Sequence, residues 1–565
     1  MGDAADAGPA APEAVFPDGA DLPEGSIRFV PLTHAQREFC LRHEVLPVSV
    51  TSHAILIATS SRTATSAAAL TLLFGKEAQI VRWPLKRLRE AIRNRFAPYA
   101  LHEAVHGLRE AEPARSAAMR ATPRQLVVFG FVIGLFGAAL VVNAGAALVL
   151  AVAFMSIFYV GHFLLRTTAA LAGAATEDAP RAPLPVSERG TLPVYTILVP
   201  LYREAEIVPA TMQAMRALDW PKERLDLKLI VEEDDAETRA AVAAFAGEAD
   251  IIVVPPGGPR TKPKALNFAL AYARGEYLVI YDAEDRPEPD QLMKAHARFQ
   301  ERDARPVACL QARLNCYNRN HNWLTRLFAL DYALWFDFML PGLERMGLPL
   351  PLGGTSNHFR VSVLRHVHAW DAWNVTEDAD LGLRLMRHGH RIATLDSTTY
   401  EEAAEALGPW LRQRARWLKG YLITFLVHMR VPGRALAEFG FFGVLGLFFF
   451  IGGSVLTALV NPVFWLLSAV WAASGTDDLH WLFGGTVEGL ALFSMIAGNL
   501  SCLALWLLAP MRRGWFGLMP WALTAPFYWL LISAAGWLAL YDFLARPFHW
   551  HKTPHGGAAK SGVAA

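Results

Sequence analysis

Between Arg124 and Arg166 the chain runs through 41 residues without an Asp, Glu, Lys or Arg. One helical crossing of a bilayer needs about 20 apolar residues. The run is therefore long enough for two crossings, with Asn143-Ala144-Gly145 offering the turn between them. A buried hairpin of a soluble protein is the competing reading, and the length argues against it. Arg115, Arg120 and Arg124 precede the pair and Arg166 and Arg181 follow it, which places both flanks on the cytoplasmic side. Residues 439–473 are again free of charge, with Asn461-Pro462 as an interruption, and apolar runs 490–508 and 518–540 follow. Four crossings in this second group return the tail to the cytoplasm but put Arg512-Arg513 outside. Three crossings plus a re-entrant piece broken at Pro526 satisfy those arginines instead.

The uncharged runs explain a hydrophobic fraction of 53% and 17 Trp, both high for a soluble enzyme. A formal net charge of +1 gives no basic surface for nucleic acid. Cys40, Cys309, Cys316 and Cys502 form no C-x-x-C pair, so reduced thiols are expected rather than a disulfide framework. Residues 1–25 are acidic, rich in Ala and Pro and poor in bulky apolar side chains, and they read as disordered rather than as a cleaved signal. A small N-terminal domain is expected over 27–105, with helices near 33–43 and 84–96 and strands at 46–50 and 54–59. Residues 173–190 read as a linker.

Enclosed by the apolar runs, residues 190–425 alternate strand-like and helix-like segments. Strands are expected at 194–200, 227–231, 251–254 and 277–281, the mark of an α/β domain with a mostly parallel sheet. Acidic clusters follow two of them. Glu232-Glu233-Asp234-Asp235 ends the second strand, where a solvated turn and a nucleotide contact are both open readings. Asp282-Ala283-Glu284 ends the fourth. Residues i and i+2 there reach the same side of the crevice beyond the strand ends, as chelation of one Mg2+ or Mn2+ requires. Lys262 and Lys264 precede a helix and suit either phosphate or plain solvent.

Thr376 suits the N-cap of a helix over 381–388 closed by Gly389. Glu377 and Asp378 in its first turn suit either macrodipole compensation, which lowers a carboxyl pKa, or a buried base, whose pKa burial raises. Gln413, Arg416 and Trp417 lie at i, i+3 and i+4 and share one helix face, as a diphosphate-and-sugar site or as an interfacial anchor.

Taken together and in this order, these segments resemble the processive family 2 glycosyltransferases, the group of cellulose, chitin and hyaluronan synthases. The likeness covers residues 120–555: an acidic motif, D-x-D, T/E-D and Q-x-x-R-W, with spans before and after. It implies a GT-A-type nucleotide-sugar-binding domain inserted between transmembrane helices (124–172 and 437–545), beside a small α+β N-terminal domain. Residues 27–99 resemble the N-terminal domain of type II secretion ATPases, although no phosphate-binding G-x-x-x-x-G-K-[ST] loop occurs in the chain.

The resemblance makes Asp282 and Glu284 ligands of Mg2+ or Mn2+, and Asp378, with Glu377, the base for the acceptor hydroxyl. Tyr202, Glu204, Glu233, Asp234, Lys264, Asp282, Gln413, Arg416 and Trp417 become contacts of the nucleotide sugar. Trp417, Gly354 and Thr355 become contacts of the acceptor. Lys552 and Thr553, beside Trp550 in the tail 546–565, resemble a segment that closes over bound UDP-sugar. The function implied is an inverting, membrane-embedded transferase that polymerises a β-glycan, a β-glucan from UDP-glucose foremost, and exports it. Its partners would be a UDP-sugar, the growing polysaccharide, membrane lipid and accessory export proteins, and its place a bacterial inner membrane with the catalytic domain cytoplasmic. A non-processive lipid or oligosaccharide transferase and a secretion-system assembly protein are the alternatives. Glu232-Glu233 stands where relatives often carry Asp-Asp, and Pro351-Leu352-Gly353-Gly354-Thr355-Ser356 departs from the acceptor segment of cellulose synthases.

Overall fold

The computed structural model describes residues 31–50, 52–60, 66–175, 191–301, 306–474 and 477–546. The disorder expected over 1–25 and the closing segment with Trp550, Lys552 and Thr553 fall outside the described residues.

One compact unit comprises the described residues from 31 to 103 with Phe268–Arg274. Helix α1 (His34–His43) starts at Thr33, whose hydroxyl accepts from the Gln36 amide while the Gln36 side chain accepts from the Thr33 amide. Strands β1 (Leu46–Val50) and β2 (Ala54–Thr59) pair antiparallel, and β3 (Glu77–Arg82) joins β2 in parallel after helix α2 (Ala67–Phe74). Helix α3 (Leu85–Ala111) extends well beyond residue 96. The sequence reading missed α2 and β3. Ser66 caps α2 and Gly75, at φ +67°, ends it, and both are punctuation of the ordinary kind.

The second unit, Ala104–Asn267 with Gly275–Ala565, opens with α4 (Pro123–Ala174). The helix breaks at Asn143 (φ −155°, ψ 92°), where the turn was expected, and the Asn143 Oδ1 accepts from Ala146 N at 3.0 Å to start the second half. Elements β4 (Tyr195–Leu201), α5 (Val208–Arg216), β5 (Leu225–Glu232), α6 (Ala236–Ala243), β6 (Asp250–Val254), α7 (Lys262–Leu270) and β7 (Tyr277–Ile280) then alternate as the sequence implied. They continue into β8 (Arg286–Pro287), α8 (Gln291–Gln300), β9 (Val307–Cys316), α9 (Trp323–Ala333), α10 (Leu340–Arg345), β10 (Asn357–Arg360), α11 (Val361–His366), α12 (Glu377–Arg387), β11 (Arg391–Glu401) and α13 (Leu407–His428).

These strands form one sheet in the order β6-β5-β4-β7-β10-β9-β11-β8. The sheet is mixed: six strands run one way, with β9 and β11 parallel to each other, and β10 and β8 run against them. The β4, β5, β6 and β7 strands run together, but β10 opposes both β7 and β9, and β8 opposes β11. The parallel half came from β-α alternation, whereas β10 returns after the helical excursion through α9 and α10, where alternation carries no signal. Tyr195, Ile197, Val199, Leu229, Val231, Tyr277 and Val279 fill the core around it. Beneath it Tyr195 Oη meets His358 Nδ1 at 2.7 Å, and Tyr281 Oη donates to Gln291 Oε1 at 2.8 Å. Burial holds His358 far down, near 3, so it is a neutral part of the core.

The chain ends in α14 (Pro432–Gly446), a π-helical turn at Leu447–Gly452, α15 (Gly453–Ser474), α16 (Asp477–Leu508), α17 (Met519–Ala522) and α18 (Ala525–Ala545). Among the described residues four helices are long and apolar enough to cross a membrane: Pro123–Ala174, Pro432–Leu467, Gly485–Arg513 and Ala525–Ala545. Two expectations are corrected here. Pro462 lies inside α15 without ending it, and Pro526 starts α18 rather than breaking it. A proline in the first turn loses no bond.

The ends of α18 are informative. Near one end Thr524 accepts from Trp323 Nε1 at 2.9 Å, and at the other the carbonyls of Phe543 and Arg546 accept from Arg120 and Lys419. The helix lies along α13 with both ends held by side chains of the sheet domain and the segment before α4. Arg513 forms a double ion pair with the buried Asp337 at 2.6 and 2.7 Å, which puts Arg512-Arg513 on that same side.

Helix α4 meets the helical excursion backbone to backbone. A Cβ on Gly173 would lie 1.9 Å from Phe338 O, and one on Gly342 would lie 1.8 Å from Ala169 O. Relief requires backbone movement, so Gly342→Ala should cost at least roughly 1–3 kcal/mol. A lowered thermal midpoint in detergent checks this, and an unchanged midpoint would show that the helices do not approach so closely in solution.

Candidate active site

The carboxyl ends of β4, β5 and β7 open on one side of the sheet, and β4 sits between the other two. Loops leaving such adjacent strands in opposite directions leave a crevice. A cavity of about 940 Å³ begins there. Tyr202 and Glu204 line it after β4, Glu232 at the end of β5, Asp282 and Glu284 after β7, and Glu401 at the end of β11.

After β4, Arg203 adopts a left-handed φ of +53°, and its amide donates to Asp235, which also caps α6 through Thr238 N. Asp235 thus ties two loops together. After β7, Asp285 accepts from the Asp282 amide at 2.8 Å and from the Thr355 hydroxyl, and so braces the Asp282-Ala283-Glu284 turn. Lys262 donates to Asp282 and, at 2.7 Å, to Gly354 O. Burial lowers the Lys262 pKa, but Asp282, Glu377 and Asp285 outweigh it and the ammonium is held charged. Burial raises Glu284 far above the usual carboxylate range, and Asp282, Asp285, Glu204 and Glu401 add to the shift. Glu401 is raised to about 7, chiefly by burial. Carboxylates so crowded favour a cation among them.

Glu377 and Asp378 start α12 and line the same cavity. Thr376 precedes the helix but makes no capping bond. Its hydroxyl turns toward Asn374 and Thr424, with Gly420 of α13 packed so closely that a Cβ there would lie 2.3 Å from Thr376 Cγ2. Between macrodipole and burial, burial prevails. It raises Glu377 to about 7, with the neighbouring Asp378 adding to it, and it raises Asp378 despite the amide of Ala379, Lys262 and Arg416. A Cβ on Gly354 would stand 3.3 Å from Asp378 Oδ2, so the glycine keeps one side of this carboxylate open.

Gln413, Arg416 and Trp417 share one face of α13, and all three line the cavity. Gln413 Oε1 and Arg416 Nε are buried and lack a partner among the described residues. Such atoms are costly unless something arrives to meet them. Trp417 stacks on Tyr332 at 6.3 Å between centroids, and the Arg414 guanidinium lies 4.7 Å from the Trp417 ring centroid. An anchor in lipid is therefore the poorer reading of this face.

The sequence-derived set is thus brought together for the most part, with clear exceptions. Lys264 is fully buried against Glu232 Oε2 at 2.9 Å and Gly257 O and does not line the cavity, while Lys262, two residues earlier, does. Glu233 and Asp234 are exposed, with Asp234 paired to Arg260 at 2.8 Å, and the cavity takes Glu232 instead. A one-residue shift at a strand end turns a side chain to the other face, and the residue sequence does not reveal where the strand stops. Thr355 lines the cavity, but its hydroxyl is engaged with Asp285. Glu401 and Asp331 went unnoticed because neither belongs to a short motif.

Among the described residues no group of three or more His, Cys, Asp or Glu stands in metal-holding geometry. Asp282 and Glu284 both line the cavity. A hard cation that takes most of its shell from a diphosphate and water fits this donor set.

Residues 193–420 match the family described as glycosyltransferase like family 2. This segment is a family 2 glycosyltransferase domain. The domain boundaries enclose the sheet, the acidic turns and α13 up to Gly420. Among curated relatives, a probable glycosyltransferase YdaM of Bacillus subtilis (strain 168) is 26% identical over 235 residues, 40% of this chain and 55% of that protein. A probable glucomannan 4-beta-mannosyltransferase 1 of Arabidopsis thaliana is 25% identical over 238 residues, 40% of this chain and 43% of that protein. The chain spans about half the length of these relatives. Among solved structures, the mannosyltransferase PcManGT from Pyrobaculum calidifontis, in complex with GDP-Man and Mn2+, superposes with a TM-score of 0.46 at 18% identity, over 70% of this chain and 99% of that one.

Proposed function

We propose that the chain is a membrane-embedded inverting glycosyltransferase that extends a β-linked glycan from a nucleotide sugar and passes it between its own helices. One observation carries the reading: a single cavity joins the acidic crevice of the transferase domain to the faces of α4, α15 and α16. Tyr159 and His162, then Thr457, Asn461 and Trp465, then Ser494, Asn499 and Trp506 line its far part. Hydroxyls, amides and indoles suit sugar rings, whereas lipid-facing helix sides have no use for them.

In this reading Glu232, Tyr202 and Arg260 hold the nucleoside. Asp282 and Glu284 would hold Mg2+ or Mn2+, which when bound neutralises charge on the diphosphate leaving group. Arg416 and Gln413 meet the diphosphate, and Trp417 supports the acceptor sugar. Asp378 accepts the proton of the acceptor hydroxyl as its oxygen bonds to the anomeric carbon. The bond from that carbon to the diphosphate breaks in the same displacement, which inverts the configuration. Glu377 sits beside the base, whose pKa is kept raised by burial.

The donor expected first is UDP-glucose. The name of the Arabidopsis relative supports a β-linked product and makes a mannosyl donor the competitor. Both ends of α18 hold the transferase layer, which supports an in-plane helix and a tail on the catalytic side of a bacterial inner membrane. Lys552 and Thr553 are assigned to nucleotide contact. The N-terminal unit is assigned a docking or regulatory part. Product length tests the central statement. Purified full chain given labelled UDP-glucose or GDP-mannose and a short acceptor should yield a ladder many sugars long. A single added sugar would replace the processive reading with the oligosaccharide or lipid transferase.

A further inference from the structure

Arg166 is a cavity residue whose chemistry a neutral glucan does not explain. It lies eight residues before the end of α4, on the helix face that carries Tyr159, His162 and Phe163, and all four line the cavity. Ala169, one turn further, packs against Gly342 of the transferase domain. Arg166 therefore stands where the cavity passes from the catalytic layer to the apolar helices. Its Nε is buried without a partner, and among the described residues no carboxylate pairs with the guanidinium. Two of the cavity's carboxylates are engaged elsewhere: Asp331 with Arg414 at 2.7 Å, and Asp282 with Lys262.

A half-buried guanidinium whose Nε is buried without a partner offers a fork shaped for a carboxylate or phosphate. The surroundings favour one carrier. Asn461, Ser494 and Asn499, with Trp465, Trp506 and Trp529, suit hydroxyl-bearing rings. Met495, Ile496, Leu500, Leu503 and Ile532 line the cavity too, and a comparison of farnesyl phosphate with farnesol separates a lipid carrier from a glycan. We propose that the glycan occupying this part of the cavity bears anionic groups, uronate carboxylates or phosphate substituents, and that Arg166 reads them as the chain leaves the catalytic layer.

The proposal rests on the membrane-transferase reading, so its test avoids turnover. Trp465, Trp506 and Trp529 report occupancy through intrinsic fluorescence of the full chain in detergent. An oligoglucuronate should bind about 10-fold tighter than the neutral glucan oligosaccharide of equal length, a difference of about 1.4 kcal/mol. Arg166→Gln should abolish the preference, and Arg166→Lys should keep part of it. Equal affinity of the wild-type chain for the two oligosaccharides, or a preference that survives in Arg166→Gln, overturns the proposal. So does discrimination through Arg166 between farnesyl phosphate and farnesol with none between the oligosaccharides, which would assign the cation to a lipid headgroup. Absence of sugar transfer would remove the transferase reading while leaving these binding results to stand or fall alone.

Discussion

Asp378→Asn is expected to lower sugar transfer by roughly 10²–10⁴-fold, the usual contribution of a positioned base. Nucleotide affinity should change little, because the carboxylate meets the acceptor and not the diphosphate. The substitution keeps the size of the side chain, so Gly354 and the start of α12 need not move. The wild-type pH profile should follow from the burial that lifts both acids. A base works only when ionised, and a raised pKa delays ionisation as pH climbs. Turnover should therefore begin to fall at a higher pH, as pH drops, than it would for an exposed carboxylate, because burial raises Asp378. Isothermal titration with UDP and GDP beside initial rates separates the two effects. Parallel loss of affinity and turnover would move Asp378 into the binding site.

Asp282→Ala is expected to weaken nucleoside diphosphate binding by roughly 10²-fold in the presence of Mg2+ or Mn2+, and far less in EDTA. The contrast matters because Asp282 also holds Lys262. Losing only the lysine's partner would alter binding equally with and without the cation. Affinity that is unchanged with Mn2+ would refute the ligand role.

What the sequence revealed about these sites depended on how local each signal was. Asp282-Ala283-Glu284, Glu377-Asp378 and the Gln413, Arg416, Trp417 face are short-range patterns, and the fold gathers all of them on one cavity. The break at Asn143 was legible because a 41-residue uncharged run must turn somewhere. Where a decision needed partners far along the chain, the reading slipped. Lys264 looked equivalent to Lys262 until Glu232 claimed it. Thr376 looked like a cap until Gly420 crowded it from α13. The antiparallel β10 lay beyond any alternation rule. The balance at Asp378 between helix dipole and burial is a three-dimensional quantity. Arg166 read as one more basic flank of a span, because its lack of a partner is visible only once α4 and α16 are packed.

The account stands most directly on one measurement: transfer of labelled sugar by the purified full chain, from a panel of UDP- and GDP-sugars with Mn2+ and a short glycan acceptor. It predicts that at least one donor gives labelled product, that EDTA stops it, and that Asp378→Asn does not make it. A folded chain that binds no nucleoside diphosphate and transfers no sugar from any donor would contradict it.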